Sequence, residues 1–350
     1  MSTTTPITAD PDADFAIVAG ITDYASLEQL NGAENDARQF YEWVTTKGGV
    51  DPVRAQHHWS STYATTRGTR RDQPDHVVID EAFQTLIRLS RDQRRKVRHP
   101  KIGRRLYVFL AGHGFALSEI SPVLALLTAN FDEEVVSDGY VAAPLYQKWV
   151  GASGAFDEVL LFMDCCGTNT CHPGLRVPFR VPPYPNHEPR IFLAAAAQPG
   201  KLTRETTTRR DNAIRGVFSL ALEDALSGKT PQSQITTVTL TNYLRSRMRD
   251  LLEPADLTRH DVSKQPYIER HDDFVLFDDV PVVPSRVTFH VAASLLNRAY
   301  SISDGRAVAV QGVTTARFSH QLGTGAFILE VKDRPDASFE VTGDKDVAID

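Results

Sequence analysis

The chain has 350 residues, of which 41% are hydrophobic and 23% are charged, and its formal net charge is -6 at pH 7. This composition is that of a globular protein with enough apolar residues for a large core, and the length suggests one large domain with a small one. Acidic and basic residues are mixed along the chain, so the basic face of a general nucleic-acid-binding protein is not expected.

The cysteines are few and lie close together in the sequence, at Cys165, Cys166 and Cys171. A secreted fold held by disulfides has more cysteines, spread more widely. Residues 1–13 are polar and are expected to be disordered, and they have neither the basic start nor the apolar run of a signal peptide. No stretch reaches the roughly 20 apolar residues that a membrane span requires. We therefore expect a cytoplasmic protein that does not contact a membrane.

Apolar runs, helical spacing and turn residues predict the elements up to residue 280. In chain order they are a strand at 15–21, a helix at 31–47, a loop at 54–75, a helix at 77–89, strands at 106–111 and 123–127, a helix at 143–150, a strand at 158–163, a Pro-rich surface loop at 168–189, a strand at 191–196, helices at 216–226 and 238–252, and a strand at 274–277 that closes the sheet. The basic run at 91–99 is interpreted as a solvated helix end.

Strands that alternate with helices predict an α/β fold with a mostly parallel sheet covered on both faces. Sites in such sheets form where the strands end. His113 follows the predicted strand at 106–111, and Cys166 follows the one at 158–163. Both residues are therefore expected at the same edge of one sheet.

The pattern changes after Pro281, where short apolar runs alternate with turn residues. Residues 285–350 predict a small antiparallel β-sandwich, which the linker 281–284 joins to a domain spanning 14–280. The sandwich has no visible catalytic cluster, and His290 and His320 are expected to be structural. We interpret it as a module that binds a protein partner.

His113 and Cys166 are residue types that support nucleophilic catalysis together. A thiol attacks as thiolate, so it needs a base that takes its proton, and the intermediate needs backbone N–H donors for its oxyanion. Gly114 has no Cβ and can bring its N–H close to a substrate carbonyl. The alternative is that Cys165 and Cys166 are core residues that close a strand, since cysteine is commonly buried.

Four segments in series resemble bacterial caspase-like and metacaspase (orthocaspase) domains, over about residues 14–278. They are AGITDY with LNGAENDA (19–24 and 30–37), YVFLAGHG (107–114), LLFMDCCG (160–167), and AAAAQP with Glu205 and GVFSLALEDALSG (194–199 and 216–228). The resemblance implies a caspase-like αβα sandwich and a cysteine endopeptidase that needs no organic cofactor. It also suggests a role in bacterial stress, cell-death or antiphage signalling.

The same resemblance implies a role for each site residue. His113 would be the general base and acid, Cys166 the nucleophile, and the N–H groups of Gly114 and Cys166 the oxyanion hole. Asp36 and Asp164 would line the first specificity pocket and favour Arg or Lys before the scissile bond of a protein or peptide substrate. Alternatively, Asp36 faces solvent on its helix, and Asp164 accepts backbone N–H bonds at the strand end.

The chain departs from the metacaspase pattern after the nucleophile, where residues 167–169 are Gly-Thr-Asn instead of His-Ser-Gly. Many metacaspases need calcium, but the acidic residues Asp132, Glu133, Glu134 and Asp138 lack an EF-hand ligand pattern. With an acidic pocket, self-cleavage would be expected after basic residues in exposed segments. The candidates are Arg176, Arg180, Arg190 and the basic residues of 204–210.

Two other functions stay open. Cys165, Cys166, Cys171 and His172 could ligate zinc, although structural zinc sites prefer two cysteines with two residues between them. Caspase-like domains can also lose activity and act as scaffolds or adaptors, although here both the histidine and the cysteine are present.

Overall fold

The computed structural model describes residues 7–63, 73–117, 123–132, 139–168, 181–208, 212–270, 272–305 and 307–349. By contacts, the chain divides into two compact units. The first consists of Met1–Leu220 with Leu252–Asp272, and the second of Ala221–Leu251 with Asp273–Asp350. None of the described helices is both long and apolar enough to cross a bilayer.

A six-stranded sheet forms the centre of the first unit, in the order β2-β1-β3-β7-β8-β12. Its strands are β1 (Asp14–Gly20), β2 (Ala55–Trp59), β3 (Gly103–Ala111), β7 (Phe156–Asp164), β8 (Arg190–Ala195) and β12 (Tyr267–Arg270). The first five are parallel, and β12 is antiparallel to β8. The predicted α/β fold with a mostly parallel sheet is therefore confirmed.

Helices cover both faces of this sheet, which explains why its central strands are almost continuously apolar. The helices of this unit are α1 (Ala33–Thr46), α2 (Ser60–Tyr63), α3 (His76–Val97), α4 (Ala143–Ala152) and α7 (Pro254–Thr258). Phe40 of α1 stacks on Phe109 at 4.6 Å between ring centroids. On the other face, Phe83 of α3 and Tyr146 of α4 share a core with Val108.

The start and end of α3 follow from its sequence. The Asp75 carboxylate accepts the Val78 N–H at 3.0 Å, which satisfies one of the free donors at the helix start. The helix ends at Val97, and the capping residue Arg98 has a left-handed φ of 65°. The basic run predicted to be a solvated helix end thus forms the last two turns of α3 and the residue that caps it.

Two smaller sheets complete the first unit. β4 (Gly114–Ala116), β5 (Leu124–Leu127) and β6 (Tyr140–Val141) form an antiparallel sheet immediately after His113. β9 (Glu205–Thr207) and β10 (Ile214–Gly216) form a hairpin, which is followed by α5 (Val217–Asp224).

Two predictions about elements are wrong. The segment 54–75 contains β2, which pairs with β1 at the edge of the main sheet, and is not a loop throughout. The strand at 274–277 does not close that sheet, because β13 (Val275–Phe277) pairs with β11 (Ile235–Thr236) instead. The edge position beyond β8 is taken by β12.

The second unit contains α6 (Thr237–Leu251), β11, β13 and the strands after residue 284. Those strands are β14 (Ser285–Val291), β15 (Ala299–Ser303), β16 (Val308–Val313), β17 (Arg317–Leu322), β18 (Gly325–Val331), β19 (Ala337–Val341) and β20 (Lys345–Ile349). They form a three-stranded sheet, β17-β14-β20, and a four-stranded sheet, β16-β15-β18-β19. Side chains of both sheets form one core, as expected for the predicted β-sandwich. The sandwich is not wholly antiparallel as predicted, because β14 and β20 pair in parallel.

The division by contacts differs from the predicted domain boundary at 280–285. α6 groups with the C-terminal strands, since the Tyr243 hydroxyl donates to the Thr342 carbonyl and Ser246 donates to Glu340 at 2.9 Å. The predicted domains, 14–280 and 285–350, stay a prediction.

Candidate active site

His113 lies just after β3, at a turn that requires a glycine. Gly112 has a φ of +155°, and a Cβ there would lie 2.5 Å from the Tyr24 hydroxyl oxygen. The His113 backbone N–H donates to that hydroxyl at 2.7 Å, and the two rings pack with centroids 4.7 Å apart. Tyr24 therefore fixes both the backbone and the ring of His113, a contact that the sequence alone did not predict.

The His113 ring is held by a second contact that was not predicted. Its Nε2 atom lies 2.8 Å from the backbone carbonyl oxygen of Glu28. Because a carbonyl only accepts, Nε2 carries the hydrogen of this bond. In the neutral ring, Nδ1 then keeps its lone pair and is the atom that can accept a proton.

Strand register places Cys166 at the same edge of the sheet as His113. Ala111 at the end of β3 pairs with Asp164 at the end of β7, and each candidate follows its strand end by two residues. A Cβ on Gly114 would lie 2.6 Å from the Cys166 carbonyl oxygen and 2.7 Å from the Cys165 Sγ atom. The segment around His113 is thus in direct contact with the two cysteines.

The two adjacent cysteines have different surroundings. Cys165 is fully buried, and burial raises the pKa of its thiol well above the usual value. Cys166 is partly exposed, and its Sγ atom accepts the Thr203 N–H at 3.4 Å. Burial also raises the pKa of the Cys166 thiol, although the Thr203 N–H opposes this effect. The resting thiol is therefore protonated and needs a base before it can attack.

The described residues contain no hydrogen bond between the His113 ring and the Cys166 sulfur; each has the partner already named, Glu28 or Thr203. Catalytic hydrogen bonds are often long in free enzymes and shorten when substrate binds. In this structure the His113 ring and the Cys166 sulfur therefore each bond to a backbone group and not to each other.

Gly114 is placed so that its N–H is free of the neighbouring strand. The Leu127 N–H donates to the His113 carbonyl at 2.8 Å, which makes Gly114 and Leu126 a pair without mutual hydrogen bonds. The Gly114 carbonyl instead faces the Thr168 hydroxyl at 3.5 Å. Since the N–H and C=O of one strand residue point to the same side, the Gly114 N–H faces the segment of Cys166.

The structure brings Asp36 and Asp164 together although they are far apart in sequence. Asp36 is 2% exposed, and its carboxylate pairs with Arg215 and accepts the Gly216 N–H at 2.8 Å. Asp164 is 6% exposed and accepts the Ser219 N–H at 3.0 Å and the Ser219 hydroxyl at 2.5 Å. Gly216 lies between them, with no room for a Cβ beside the Asp164 carboxylate.

Burial raises the pKa of both carboxyl groups. For Asp164 the pKa rises to about 6, because burial and the Glu205 charge outweigh the Ser219 hydrogen bonds and the Arg215 charge. For Asp36 it rises well above the usual value, because burial and the Asp164 charge outweigh Arg215 and Gly216. A further cation beside Asp164 would relieve this cost.

Arg215 and Glu205 are site residues to which the sequence alone assigned no role. Arg215 gives Asp36 a cation from the chain itself, so only part of the negative charge remains for a ligand. Glu205 accepts the Gly32 N–H at 2.7 Å and thereby joins the β9–β10 hairpin to the start of α1. The available signal was position, since Glu205 belongs to the fourth segment that resembles caspase-like domains and Arg215 directly precedes residues 216–228 of it.

The described residues include only some members of the two candidate metal sites. Among the residues that the structure describes, no group of three or more His, Cys, Asp or Glu side chains could hold a metal ion. Cys171 and His172 of the zinc hypothesis, and Glu133, Glu134 and Asp138 of the calcium hypothesis, lie outside those residues.

Two of the candidate self-cleavage arginines, Arg190 and Arg204, lie in the described part of the chain, and both pair with a carboxylate. Arg190 pairs with the buried carboxylate of Glu158, and Arg204 pairs with Asp256 at 3.0 Å. Arg176, Arg180, Arg209 and Arg210 lie outside the described residues.

No family model matches the chain, and no curated protein matches it. Among the solved structures that match are caspase-1 from Spodoptera frugiperda (14% identity) and a structural-genomics target from Geobacter sulfurreducens (13% identity). Each has a TM-score of 0.44 and covers 77% of this chain, and the match covers 91% and 99% of the other chain, respectively. A structure of the caspase-1 proform matches at the same TM-score, with 14% identity over 77% of this chain and 97% of that one. Identities of 13–14% with TM-scores of 0.44 do not assign the chain to a family.

Proposed function

We propose that the chain is a caspase-like cysteine endopeptidase in which His113 and Cys166 are the catalytic pair. The observation that carries this proposal is the register of β3 and β7, which sets an imidazole and a partly exposed thiol two residues beyond paired strand ends. The motifs around both residues resemble those of caspase-like domains. Because the pKa of the Cys166 thiol is raised, the thiol requires a base to remove its proton before it can attack.

In the proposed mechanism, Nδ1 of His113 takes the Cys166 proton as the sulfur attacks the scissile carbonyl. The carbonyl electron pair moves to oxygen, where the N–H groups of Gly114 and Cys166 donate to it. The intermediate collapses, the C–N bond breaks, and the leaving amine takes the proton from His113. Water, deprotonated by the same ring, then attacks the thioester and releases the acid and the thiol. The Glu28 carbonyl would stabilise the imidazolium form.

We further propose that the enzyme cleaves after Arg or Lys. Asp164 lies two residues before the proposed nucleophile, Asp36 meets Asp164 at Gly216, and Glu205 is a third acidic group that acts on Asp164. Arg215 pairs with Asp36. A substrate guanidinium could pair with Asp164 in bidentate fashion, whereas an aspartate side chain would meet repulsion.

The direct test is cleavage of a peptide library that varies the residue before the scissile bond, with wild type and Cys166→Ala side by side. We expect cleavage after Arg and Lys by wild type and none by the variant. Cleavage after Asp would refute the acidic pocket but keep the protease. If the variant cleaves as well as wild type, the proposed nucleophile is wrong, and if neither cleaves any peptide, the scaffold function is favoured.

Cytoplasmic location, and a role of the C-terminal sandwich in binding a protein partner, stay proposals. The second is motivated by a separate β module that follows the candidate active site and exposes Val308 and Val313 of β16. In the full chain, Val308→Lys with Val313→Lys should leave peptide cleavage unchanged and slow cleavage of protein substrates. Equal rates on protein substrates would refute that role.

A further inference from the structure

One face of α3, together with its capping residue, has a cluster of arginines outside the candidate active site. Arg91, Arg94, Arg95 and Arg98 are spaced so that they follow one another along the same side of a helix. They line an open cleft of about 450 Å³. A cleft of this volume is of the size that proteins use for small ligands.

The arginine cluster has little negative charge to balance it. Arg95 pairs with Asp92 at 3.2 Å, in a contact that is largely exposed. Arg94 lies over the Tyr184 ring, with its guanidinium carbon 5.4 Å from the ring centroid. Among the described residues, no acidic side chain pairs with Arg91, Arg94 or Arg98. Like charges at this spacing repel each other, so a bound anion would relieve the repulsion between these arginines.

The shape of the cluster decides which anion it fits. From Arg91 to Arg98 the helix rises about 10 Å, which is a short and compact stretch. Guanidinium groups recognise phosphate oxygens in bidentate fashion and keep their charge at every physiological pH. A nucleic-acid strand would need a longer basic track, and the chain as a whole carries a net charge of -6.

We propose that the cleft lined by Arg91, Arg94, Arg95 and Arg98 binds a small molecule with a chain of phosphate groups. Adjacent phosphates would each face one or two guanidinium groups along the helix. The site does not depend on the proposed peptidase activity, because none of its residues belongs to the candidate active site.

The test is isothermal titration calorimetry of the full chain with inorganic tripolyphosphate, ATP and AMP in about 0.1 M salt. We expect one tripolyphosphate per chain, with an affinity that falls as salt rises. ATP should bind within about tenfold of tripolyphosphate if the phosphates dominate, and AMP at least about tenfold more weakly than ATP. Absence of tripolyphosphate binding would overturn the proposal, as would AMP binding as tightly as ATP.

Two variants distinguish binding at this cleft from non-specific electrostatic binding to the protein. Arg91→Gln with Arg94→Gln should weaken tripolyphosphate binding at least about tenfold, while glutamine keeps the helix favourable. The matched control is Arg88→Gln on the same helix, since Arg88 pairs with Glu81 and does not line the cleft. Equal weakening by both changes would overturn the proposal, as would a 20-nucleotide single strand that binds more tightly than tripolyphosphate. Thermal unfolding would show that each variant is folded.

Discussion

The two ends of the main sheet both bury charged residues, but in different ways. Near the amino ends, Arg105 of β3 pairs in register with Glu158 of β7, and both side chains are at most 4% exposed. Arg190 reaches the same carboxylate, and Arg104 pairs with Asp14. Each buried carboxylate at this end has an arginine of the chain as its partner.

At the carboxyl ends the compensation is incomplete. Asp36 has Arg215, but Asp164 receives hydrogen bonds from the neutral Ser219 alone among the described residues. Its pKa is raised to about 6. Paired charges at the amino ends therefore stabilise the sheet, whereas the carboxylate without a cation partner and the thiol at the carboxyl ends suit the proposed recognition and reaction site.

The largest expected effect is on catalysis at the carboxyl end. His113→Ala should lower kcat on an arginyl peptide by about 10²–10⁴-fold, because it removes the proposed general base. The free energy of unfolding should change little by comparison. His290→Ala in the C-terminal sandwich is the control and should leave kcat unchanged. A similar loss in both variants would show that His113 has no special role.

The same comparison predicts a stability effect at the amino end. Glu158→Ala leaves two arginines without their carboxylate, and breaking a buried pair in this way costs about 3–5 kcal/mol of unfolding free energy. Asp157→Ala is the control, since Asp157 pairs with Lys101 in a partly exposed contact that is worth about 1 kcal/mol or less. Urea unfolding measures both. If the two variants lose equal stability, the ion pairs of Glu158 with Arg105 and Arg190 do not stabilise the sheet more than an ordinary surface pair does.

The placement of polar residues at the two ends of the sheet could largely be predicted from the sequence, because β3 and β7 are long apolar runs with polar residues at their ends. Strand ends then placed His113 and Cys166 at one edge. β2 was missed because Gln56, His57 and His58 are polar, as an edge strand allows. The role of Arg215 could not be predicted, because its pairing with Asp36 joins residues 179 positions apart.

The raised pKa of Asp164 predicts a stability change with pH. Its carboxyl group ionises near pH 6 in the folded chain and near its usual value, 3.8, in the unfolded chain. The protonated Asp164 carboxyl group therefore contributes fully to the free energy of unfolding below about pH 4, and this contribution is lost as the pH rises through 6. Relative to Asp164→Asn, wild type should lose about 2–3 kcal/mol between pH 4 and pH 8.

A control with a lowered pKa sharpens this test. Arg259 lowers the pKa of Asp261 to about 2, so Asp261 stays ionised over the same range. The stability difference between wild type and Asp261→Asn should be nearly flat above pH 5. A flat difference for Asp164→Asn as well would contradict the unpaired state of that carboxylate.

The smallest expected effect concerns the positioning of His113. Tyr24→Phe removes the hydroxyl that accepts the His113 N–H and leaves a buried donor unpaired. We expect kcat to fall about tenfold with KM unchanged. Tyr146→Phe, which removes a buried hydroxyl that contacts Asp80, is the matched control. A loss of the same size in both variants would assign Tyr24 a structural role only.

The proposed peptidase mechanism requires that Cys166, and not its neighbour Cys165, is the nucleophile. The most direct measurement is the reaction of wild type with a peptide that ends in an arginyl chloromethyl ketone, followed by mass spectrometry of the modified cysteine. We expect one adduct, on Cys166, formed much more slowly in His113→Ala and still formed in Cys165→Ala. An adduct on Cys165 or Cys171 instead, or a rate that does not depend on His113, would contradict it.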